Sequence, residues 1–224
     1  MTGPRQNNQA GAERDTYLLA HRRPTGRLGR QVAEGMNSHH RPLREWGLKL
    51  GEFSSHARIL EAACGGGMTA RALLRDMGVS SLVGFDLSEE MARFSRRINQ
   101  ADVGMARAAF LAADVSSLPF PDYSFNGAVA FETIYFWPNL VRGLRELVRV
   151  LRPCGRILIV NELYRYPGLT KEEEKVIKLL EMEVLTPEEY RARLAEAGLE
   201  KVKITLHPNH PWIALTAQRP GPRQ

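Results

Sequence analysis

Residues 58–67 read Arg-Ile-Leu-Glu-Ala-Ala-Cys-Gly-Gly-Gly, a stretch that leads an apolar strand through an acidic residue into a glycine loop. Glycine has no Cβ, so Gly65 and Gly67 can adopt backbone angles that are closed to other residues and let a ligand come close. A helix predicted over residues 68–77 directs its free amide groups at the same place. The stretch therefore predicts a nucleotide-cofactor site between a strand and a helix.

The next strand supplies a second feature of such a site. Residues 81–85 are apolar and end in Asp86, whose carboxylate is placed to accept hydrogen bonds from ribose hydroxyls. Taken alone, the loop also fits the dinucleotide fingerprint Gly-x-Gly-x-x-Ala, with Ala70 in the last place. The two strands therefore predict a nucleoside ligand without choosing between NAD(P) and S-adenosylmethionine.

Charges around the loop favour S-adenosylmethionine. Glu61 precedes the loop, where a carboxylate would crowd a pyrophosphate but can hold a cationic amino-acid group. A third apolar run, residues 108–113, ends in Asp114, where an adenine amino group can be held. No Arg or Lys, the side chains that recognise phosphate groups, lies between Glu61 and Ala70. A dinucleotide is therefore the weaker of the two interpretations.

Strands and helices alternate from Arg58 onward. The predicted strands lie near residues 58–62, 81–86, 108–113, 126–131, 156–162, 201–206 and 212–217, and the predicted helices near 68–77, 89–99, 139–151 and 187–197. This alternation is typical of an α/β protein with a parallel sheet and helices on both faces. The short connection at 208–211 predicts a hairpin and one antiparallel strand. Ligands of such sheets bind beyond the carboxyl ends of the strands, which gathers Glu61, Asp86, Asp114, Glu132 and Glu162 at one edge.

Four segments resemble, in order, the motifs of the class I S-adenosylmethionine-dependent methyltransferases, in particular their small-molecule branch. They are residues 59–67, 83–91, 113–125 and 146–160. The resemblance implies a Rossmann-like, doubly wound sheet of seven mostly parallel strands. It also implies that Glu61 lies near the amino-acid end of the methyl donor, Asp86 on the ribose hydroxyls and Asp114 beside the adenine. The other predicted cofactor contacts are Ala63, Cys64, Gly65, Gly67, Leu87, Met91, Val115 and Phe131.

Three positions depart from the family pattern. The family usually has a glycine where Ala63 stands, an aspartate where Asn126 stands, and a second glycine where Cys154 stands. Only the left-handed region of φ and ψ penalises the methyl group of alanine, so we expect Ala63 to keep a negative φ.

The sequence predicts one central domain with a cap, an insertion and two terminal tails. We predict a disordered basic tail over residues 1–24, cap helices over 25–57 with one helix from about 38 to 50, a methyltransferase domain over 58–218, and a short tail over 219–224. Residues 164–185 are predicted to be an insertion with a helical stretch at 171–183.

Composition excludes several classes of protein. The 224 residues fit one domain, which counts against a two-domain dehydrogenase. The net charge of +6 is concentrated near the two termini, so we do not expect nucleic acid as a partner. The absence of an apolar signal region and of a bilayer-length apolar run predicts a cytoplasmic protein with no membrane partner. Cys64 and Cys154 fall at opposite ends of neighbouring strands and cannot pair. The spacing of the His and Cys residues shows no zinc pattern, so no metal is expected.

The segment at residues 131–138 follows the fourth strand and should cross the mouth of the pocket. We predict that Tyr135 faces the pocket. For Phe136 and Trp137, the sequence is equally consistent with facing the pocket and with packing that seats the next helix. His40 is a candidate base from the cap, with helix capping or solvent exposure as the alternative for both His39 and His40. Glu162 is the best carboxylate on the acceptor side, unless it pairs with Arg156 or Arg165.

These features predict methyl transfer from S-adenosylmethionine to a small molecule, by an in-line displacement in which positioning does most of the work. The catalytic candidates are Tyr135, His40 and Glu162. The alternatives are an NAD(P)-dependent oxidoreductase and a non-catalytic cofactor-binding member. The sequence leaves open whether N, O, S or C is methylated, and Trp46 and the insertion allow a homodimer contact.

Overall fold

A computed structural model describes residues 14–20, 22 and 24–222 of the chain. The strands are β1 (Arg58–Ala62), β2 (Ser81–Asp86), β3 (Ala108–Ala112), β4 (Phe125–Phe131), β5 (Leu151–Asn161), β6 (Glu200–Leu206) and β7 (Ile213–Gln218). The helices are α1 (Gly26–His39), α2 (Arg41–Leu48), α3 (Met68–Arg75), α4 (Glu89–Ile98), α5 (Gln100–Gly104), α6 (Leu140–Val150), α7 (Lys171–Leu179) and α8 (Pro187–Glu196).

All seven strands form one sheet in the order β3-β2-β1-β4-β5-β7-β6. Strands β1 to β5 pair in parallel, and β7 runs antiparallel to both β5 and β6. The predicted α/β fold, with one antiparallel strand in a doubly wound sheet, is confirmed. The strand order reverses beside β1, so the ends of β1 and β4 flank the crevice where such sheets bind ligands.

The two faces of the sheet bury separate apolar clusters, and β1 contributes to both. Leu60 and Ala62 belong to the larger cluster, whereas Ile59 belongs to the cluster that also contains Leu43 of α2 and Ala70 of α3. Because side chains alternate between the faces of a strand, Glu61 shares its face with Ile59. The alternation therefore turns the Glu61 carboxylate toward the cap and the helix that follows the glycine loop.

The amino-terminal region is more ordered than predicted. Residues 14–20 and 22 are helical, so the prediction of disorder over 1–24 is wrong for them. Arg14 pairs with Glu172, and Arg22 pairs with Glu181. These ion pairs join the segment to the region of the insertion, which a reading of local sequence cannot detect. Residues 1–13, 21 and 23 lie outside the described chain.

The cap and the insertion also differ from the prediction in their bounds. Instead of one helix from about residue 38 to 50, α1 ends at His39 and α2 begins at Arg41. Pro42 lies in the first turn of α2, where its missing N–H is tolerated because the first amides of a helix have no partner within it. The insertion helix ends at Leu179 rather than Glu183, and the short helix α5 was not predicted.

Three further observations bear on the predictions. Cys64 is buried, Cys154 is exposed, and neither forms a disulfide. The ring of Trp46 packs within the chain, with its centroid 5.3 Å from that of His207 and 6.0 Å from that of Trp212. In the part of the chain that the structure describes, we find no helix with the length and apolar character needed to cross a bilayer.

Candidate cofactor and acceptor site

The glycine loop is held from both sides by side chains of neighbouring elements. Gly65 and Gly67 have φ of 44° and 74°, as the turn from β1 into α3 requires. The amide of Gly65 donates to Asp86 Oδ2 at 3.0 Å. Ser95 Oγ donates to the carbonyl of Gly65 at 2.8 Å, and Asn99 Nδ2 donates to that of Gly67 at 2.9 Å. The loop conformation is therefore set by β2 and α4 as well as by its own glycines.

Ala63 has a left-handed backbone, contrary to the prediction. Its φ is 52°, which places its methyl group in the region where a side chain is strained. Such a conformation costs a non-glycine residue about 1–2 kcal/mol and persists only where its surroundings fix it. The conformation explains why the related family usually has glycine at this position.

Glu61 is a buried carboxylate with one unsatisfied oxygen. Only 3% of the residue is exposed, and Glu61 Oε2 has no hydrogen-bond partner among the described residues. Burial raises the pKa of Glu61 to about 8, against the opposing effect of the positive charge on Arg44. Arg44 is itself buried in α2, and both residues line the same cavity. A buried acceptor without a partner is unusual in a folded protein and fits a cationic ligand group.

The Asp86 carboxylate lies at the end of β2 and also accepts a hydrogen bond from the glycine loop. Its Oδ1 accepts from the amide of Ser88 at 2.8 Å, while Oδ2 accepts from Gly65. Burial raises the pKa of Asp86, and these two backbone amides act to lower it. Each carboxylate oxygen has a second lone pair that remains available to a ribose hydroxyl.

The cap packs directly onto the glycine loop. Asn37 Nδ2 of α1 donates to the carbonyl of Gly66 at 3.0 Å, and a Cβ on Gly66 would lie 2.2 Å from Asn37 Oδ1. The cavity between the cap, the loop and the end of β4 has a volume of only about 70 Å³. The cap therefore narrows the crevice beside the glycine loop.

Two acids and two histidines meet at the ends of β4 and β5. His40 Nε2 lies 3.7 Å from Glu162 Oε2 and 3.9 Å from Glu132 Oε2. His39 Nε2 lies 3.3 Å from Glu162 Oε2. The hydroxyl of Tyr135 donates to Glu132 Oε2 at 2.6 Å, and the amide of Glu162 donates to Glu132 Oε1. The cluster therefore joins the cap to the sheet through Glu132.

Burial dominates the electrostatics of this cluster. It raises the pKa of Glu132 well above the ordinary value, and the neighbouring charge of Glu162 adds to the shift. Burial also raises the pKa of the Tyr135 hydroxyl. For Glu162, burial acts upward, but the contacts with His40 and His39 bring its pKa below the ordinary value. Glu162 is therefore the ionised acid of the pair, and it faces the histidines.

Comparison with known proteins identifies the family. A family model described as a methyltransferase domain matches residues 60–159. The 27-O-demethylrifamycin SV methyltransferase of Amycolatopsis mediterranei is 36% identical over 151 residues, which cover 64% of this chain and 54% of that protein. The chain belongs to the class I S-adenosylmethionine-dependent methyltransferases. This assignment removes the support for an NAD(P)-dependent oxidoreductase.

Other relatives and solved structures agree with this methyltransferase fold. The fatty-acid O-methyltransferase of Mycolicibacterium smegmatis is 34% identical over 109 residues, or 49% of this chain and 38% of that protein. The chain thus spans about half, or less, of the length of these relatives. A methyltransferase from Aquifex aeolicus superposes with a TM-score of 0.69 at 18% identity, covering 84% of this chain and 97% of that one. A phosphoethanolamine N-methyltransferase of Haemonchus contortus, solved with S-adenosyl-L-methionine, gives a TM-score of 0.71 at 15% identity, covering 80% and 53%.

The cavity of the methyltransferase gathers about half of the predicted site residues. Those that line it are His40, Glu61, Ala63, Cys64, Gly65, Gly67 and Phe131. Tyr135 and Glu162 lie one residue layer away and reach it through Glu132. Asp86 reaches it through the Gly65 amide.

The other predicted cofactor contacts, including Asp114 for the adenine, do not line this cavity. Leu87 is 61% exposed, and Asp114 is exposed with Oδ1 accepting from the amide of Ser116 at 2.7 Å. Met91 is fully buried against Ala33 and Phe94, and Val115 is buried in the main core.

Several contributors to the methyltransferase site were missed or misread from the sequence. Asn37, Arg44 and Glu132 line the cavity but were not among the predicted site residues. Glu132 was recognisable as a strand-end acid, whereas α1 and α2 carried no motif. The alternative pairings of Glu162 are not observed, because Arg156 pairs with Glu52 and Arg165 donates to the carbonyl of Val184.

Proposed function

We propose that the protein transfers a methyl group from S-adenosylmethionine to an oxygen atom of a small, largely apolar molecule. The observation that carries the cofactor is the unsatisfied Oε2 of Glu61 beside Arg44 at the glycine loop. A buried carboxyl group, which can ionise when a cation binds, and a buried guanidinium line one cavity and match the ammonium and the carboxylate of an amino acid. A nicotinamide dinucleotide has no such zwitterionic end.

The remaining cofactor contacts follow from the order of the strands. We assign the ammonium to Glu61, the carboxylate to Arg44 and the ribose hydroxyls to Asp86. The backbone at Ala63, Cys64, Gly65 and Gly67 would pass along the amino-acid chain, and Phe131 would face the sulfonium. Leu87, Met91, Asp114 and Val115 are proposed for the adenine end. The bound cofactor supplies an electrophilic methyl group on a good leaving group.

The acid–histidine cluster supports an acceptor that must lose a proton. His40 lines the cavity, so we propose that its Nε2 takes the proton of an acceptor hydroxyl as the new carbon–oxygen bond forms. Glu162 would stabilise the resulting imidazolium, and Tyr135 would hold Glu132 in place. The names of two relatives, the 27-O-demethylrifamycin SV and fatty-acid O-methyltransferases, support oxygen as the acceptor atom.

Two measurements test the proposal. Calorimetric titration should show binding of S-adenosylmethionine and none of NAD or NADP. Incubation with S-adenosylmethionine and a library of apolar hydroxyl and carboxyl compounds should then release S-adenosylhomocysteine. Binding of a nicotinamide cofactor alone would overturn the cofactor assignment. Cofactor binding without turnover of any compound in an extensive library would favour a non-catalytic member instead.

A further inference from the structure

The acid–histidine cluster also has the composition of a metal site. His39 and His40 come from the carboxyl end of α1, and Glu162 follows β5. Their ligand atoms all lie within 4.8 Å of one another. The adjacent histidines showed no zinc pattern in the sequence because the third donor comes from a distant part of the chain.

The distances between donors are close to those of a formed site. Bonds of about 2.0–2.1 Å in a tetrahedral zinc site place the donor atoms about 3.4 Å apart. In this structure, His39 Nε2 and His40 Nε2 lie 3.3 Å and 3.7 Å from Glu162 Oε2. The side chain of His39 is 72% exposed and free to make the remaining adjustment. The two separations from Glu162 are therefore within about 0.3 Å of those in a tetrahedral site.

We propose that His39, His40 and Glu162 bind a divalent transition metal of the zinc class. Two imidazole nitrogens and one carboxylate oxygen are ligands that suit Zn²⁺ and its neighbours in the first transition row. Mg²⁺ and Ca²⁺ prefer a shell made only of oxygen atoms. Glu132 Oε2 lies 3.9 Å from His40 Nε2, so a second acidic side chain borders the cluster.

A metal at this site would have two consequences for the protein. It would link the end of α1 to the end of β5. This link would lie next to the cavity, because His40 also lines the cavity. It would also occupy the lone pair of His40 Nε2, so that metal binding and proton removal by His40 exclude each other. The binding itself requires neither cofactor nor acceptor, so it can be measured whether or not the protein transfers a methyl group.

The test measures metal binding by the full chain after treatment with a chelator. Equilibrium dialysis against ZnCl₂ should give one bound ion per chain, which excess MgCl₂ does not displace. CoCl₂ should produce the visible absorption bands of a low-symmetry nitrogen and oxygen site. His39→Ala and Glu162→Gln should each weaken zinc binding at least about 10-fold. The His39→Ala change removes an exposed side chain, and circular dichroism checks that both variants are folded.

A control variant distinguishes this site from adventitious binding by histidine. His207 and His210 form another close pair, with ring centroids 4.8 Å apart, in the β6–β7 connection. His210→Ala should leave zinc affinity unchanged. The proposal is overturned if the wild-type chain binds no zinc, if Mg²⁺ competes at equal concentration, or if the His39→Ala and Glu162→Gln variants bind zinc as the wild type does.

Discussion

Glu61 lies one residue before the end of β1, Glu132 directly follows the adjacent strand β4, and the two acids differ in how their oxygens are used. Both are buried, and burial raises the pKa of each. Glu132 accepts from the Tyr135 hydroxyl and from the amide of Glu162, whereas Oε2 of Glu61 has no partner among the described residues. A buried carboxylate with its hydrogen bonds made organises the protein around it. One left unsatisfied destabilises the ligand-free fold and is typical of a binding site.

The backbone shows the same contrast in another form. Glu132 itself has a φ of 57°, whereas at the end of β1 the left-handed residue is Ala63, with a φ of 52°. The turn at Glu132 aims its side chain at protein partners. The turn at Ala63 leaves Glu61 in a regular strand and opens the loop backbone to a ligand. In the proposed function, the strained turn at Glu132 would belong to the acceptor side and the one at Ala63 to the cofactor side.

The largest effect is expected when Glu61 can no longer carry a charge. Glu61→Gln should weaken binding of S-adenosylmethionine by about 100-fold, because the ammonium loses its buried counter-charge. Calorimetric titration of the variant and the wild type measures the effect. Glu45→Gln is the matched control, because Glu45 is an exposed glutamate of α2 that pairs with Arg41. Equal affinities of the Glu61→Gln variant and the wild type would show that Glu61 does not contact the cofactor.

The same variant should stabilise the ligand-free protein in a pH-dependent way. The folded state holds a proton on Glu61 up to a pKa of about 8, whereas the unfolded chain releases it near the ordinary value. Folding stability is therefore lost as the pH rises between these two values. Glu61→Gln escapes this loss, so its unfolding temperature should exceed that of the wild type by about 3 °C or more at pH 8 and by little at pH 5. Thermal unfolding without ligand tests the difference.

The pH dependence of cofactor binding gives the next largest effect. A cationic ligand requires Glu61 to be ionised, and with a pKa of about 8 it is mostly protonated at pH 6. Binding must then release a proton, so affinity for S-adenosylmethionine should rise close to tenfold from pH 6 to pH 7. Methylthioadenosine shares the adenosine group but lacks the ammonium, and its affinity should stay constant. Parallel curves for the two ligands would assign the titration to a residue other than Glu61.

The acids and glycines at the strand ends could be predicted from sequence, but the cap residues that line the same cavity could not. Glu61, Asp86 and the glycine loop are local in sequence, so periodicity and spacing place them correctly at one edge of the sheet. Asn37 of α1 and Arg44 of α2 reach the same cavity through packing between segments that carry no recognisable motif. Contacts of this kind depend on how helices pack against a sheet, and a single sequence does not reveal that packing.

Backbone conformation and side-chain exposure also limited what could be predicted from the sequence. Ala63 carries a side chain that favours negative φ, and only the turn required between β1 and α3 overrides that preference. Asp86 is the last residue of β2, whereas Asp114 lies two residues beyond β3, at the edge of the sheet, and is exposed. The histidine cluster joins α1 to β5 only in three dimensions. Local pattern therefore predicted the frame of the site, while tertiary packing decided which acids are buried.

The hydrogen bond between Tyr135 and Glu132 can be tested without changing a residue proposed to bind the cofactor. Tyr135→Phe removes the 2.6 Å hydrogen bond to Glu132 Oε2 and leaves that oxygen as unsatisfied as the one on Glu61. The free energy of unfolding should fall by about 1–2 kcal/mol, and turnover of an acceptor should fall several-fold. Affinity for S-adenosylmethionine should change less than about twofold, since Tyr135 meets the cavity only through Glu132. Tyr123→Phe alters a half-exposed tyrosine that stacks on Arg219 and should change none of these quantities. A Tyr135→Phe variant that lost cofactor affinity and turnover together would mean that the two strand ends act as one site, and that the separation between Glu61 and Glu132 has no functional meaning.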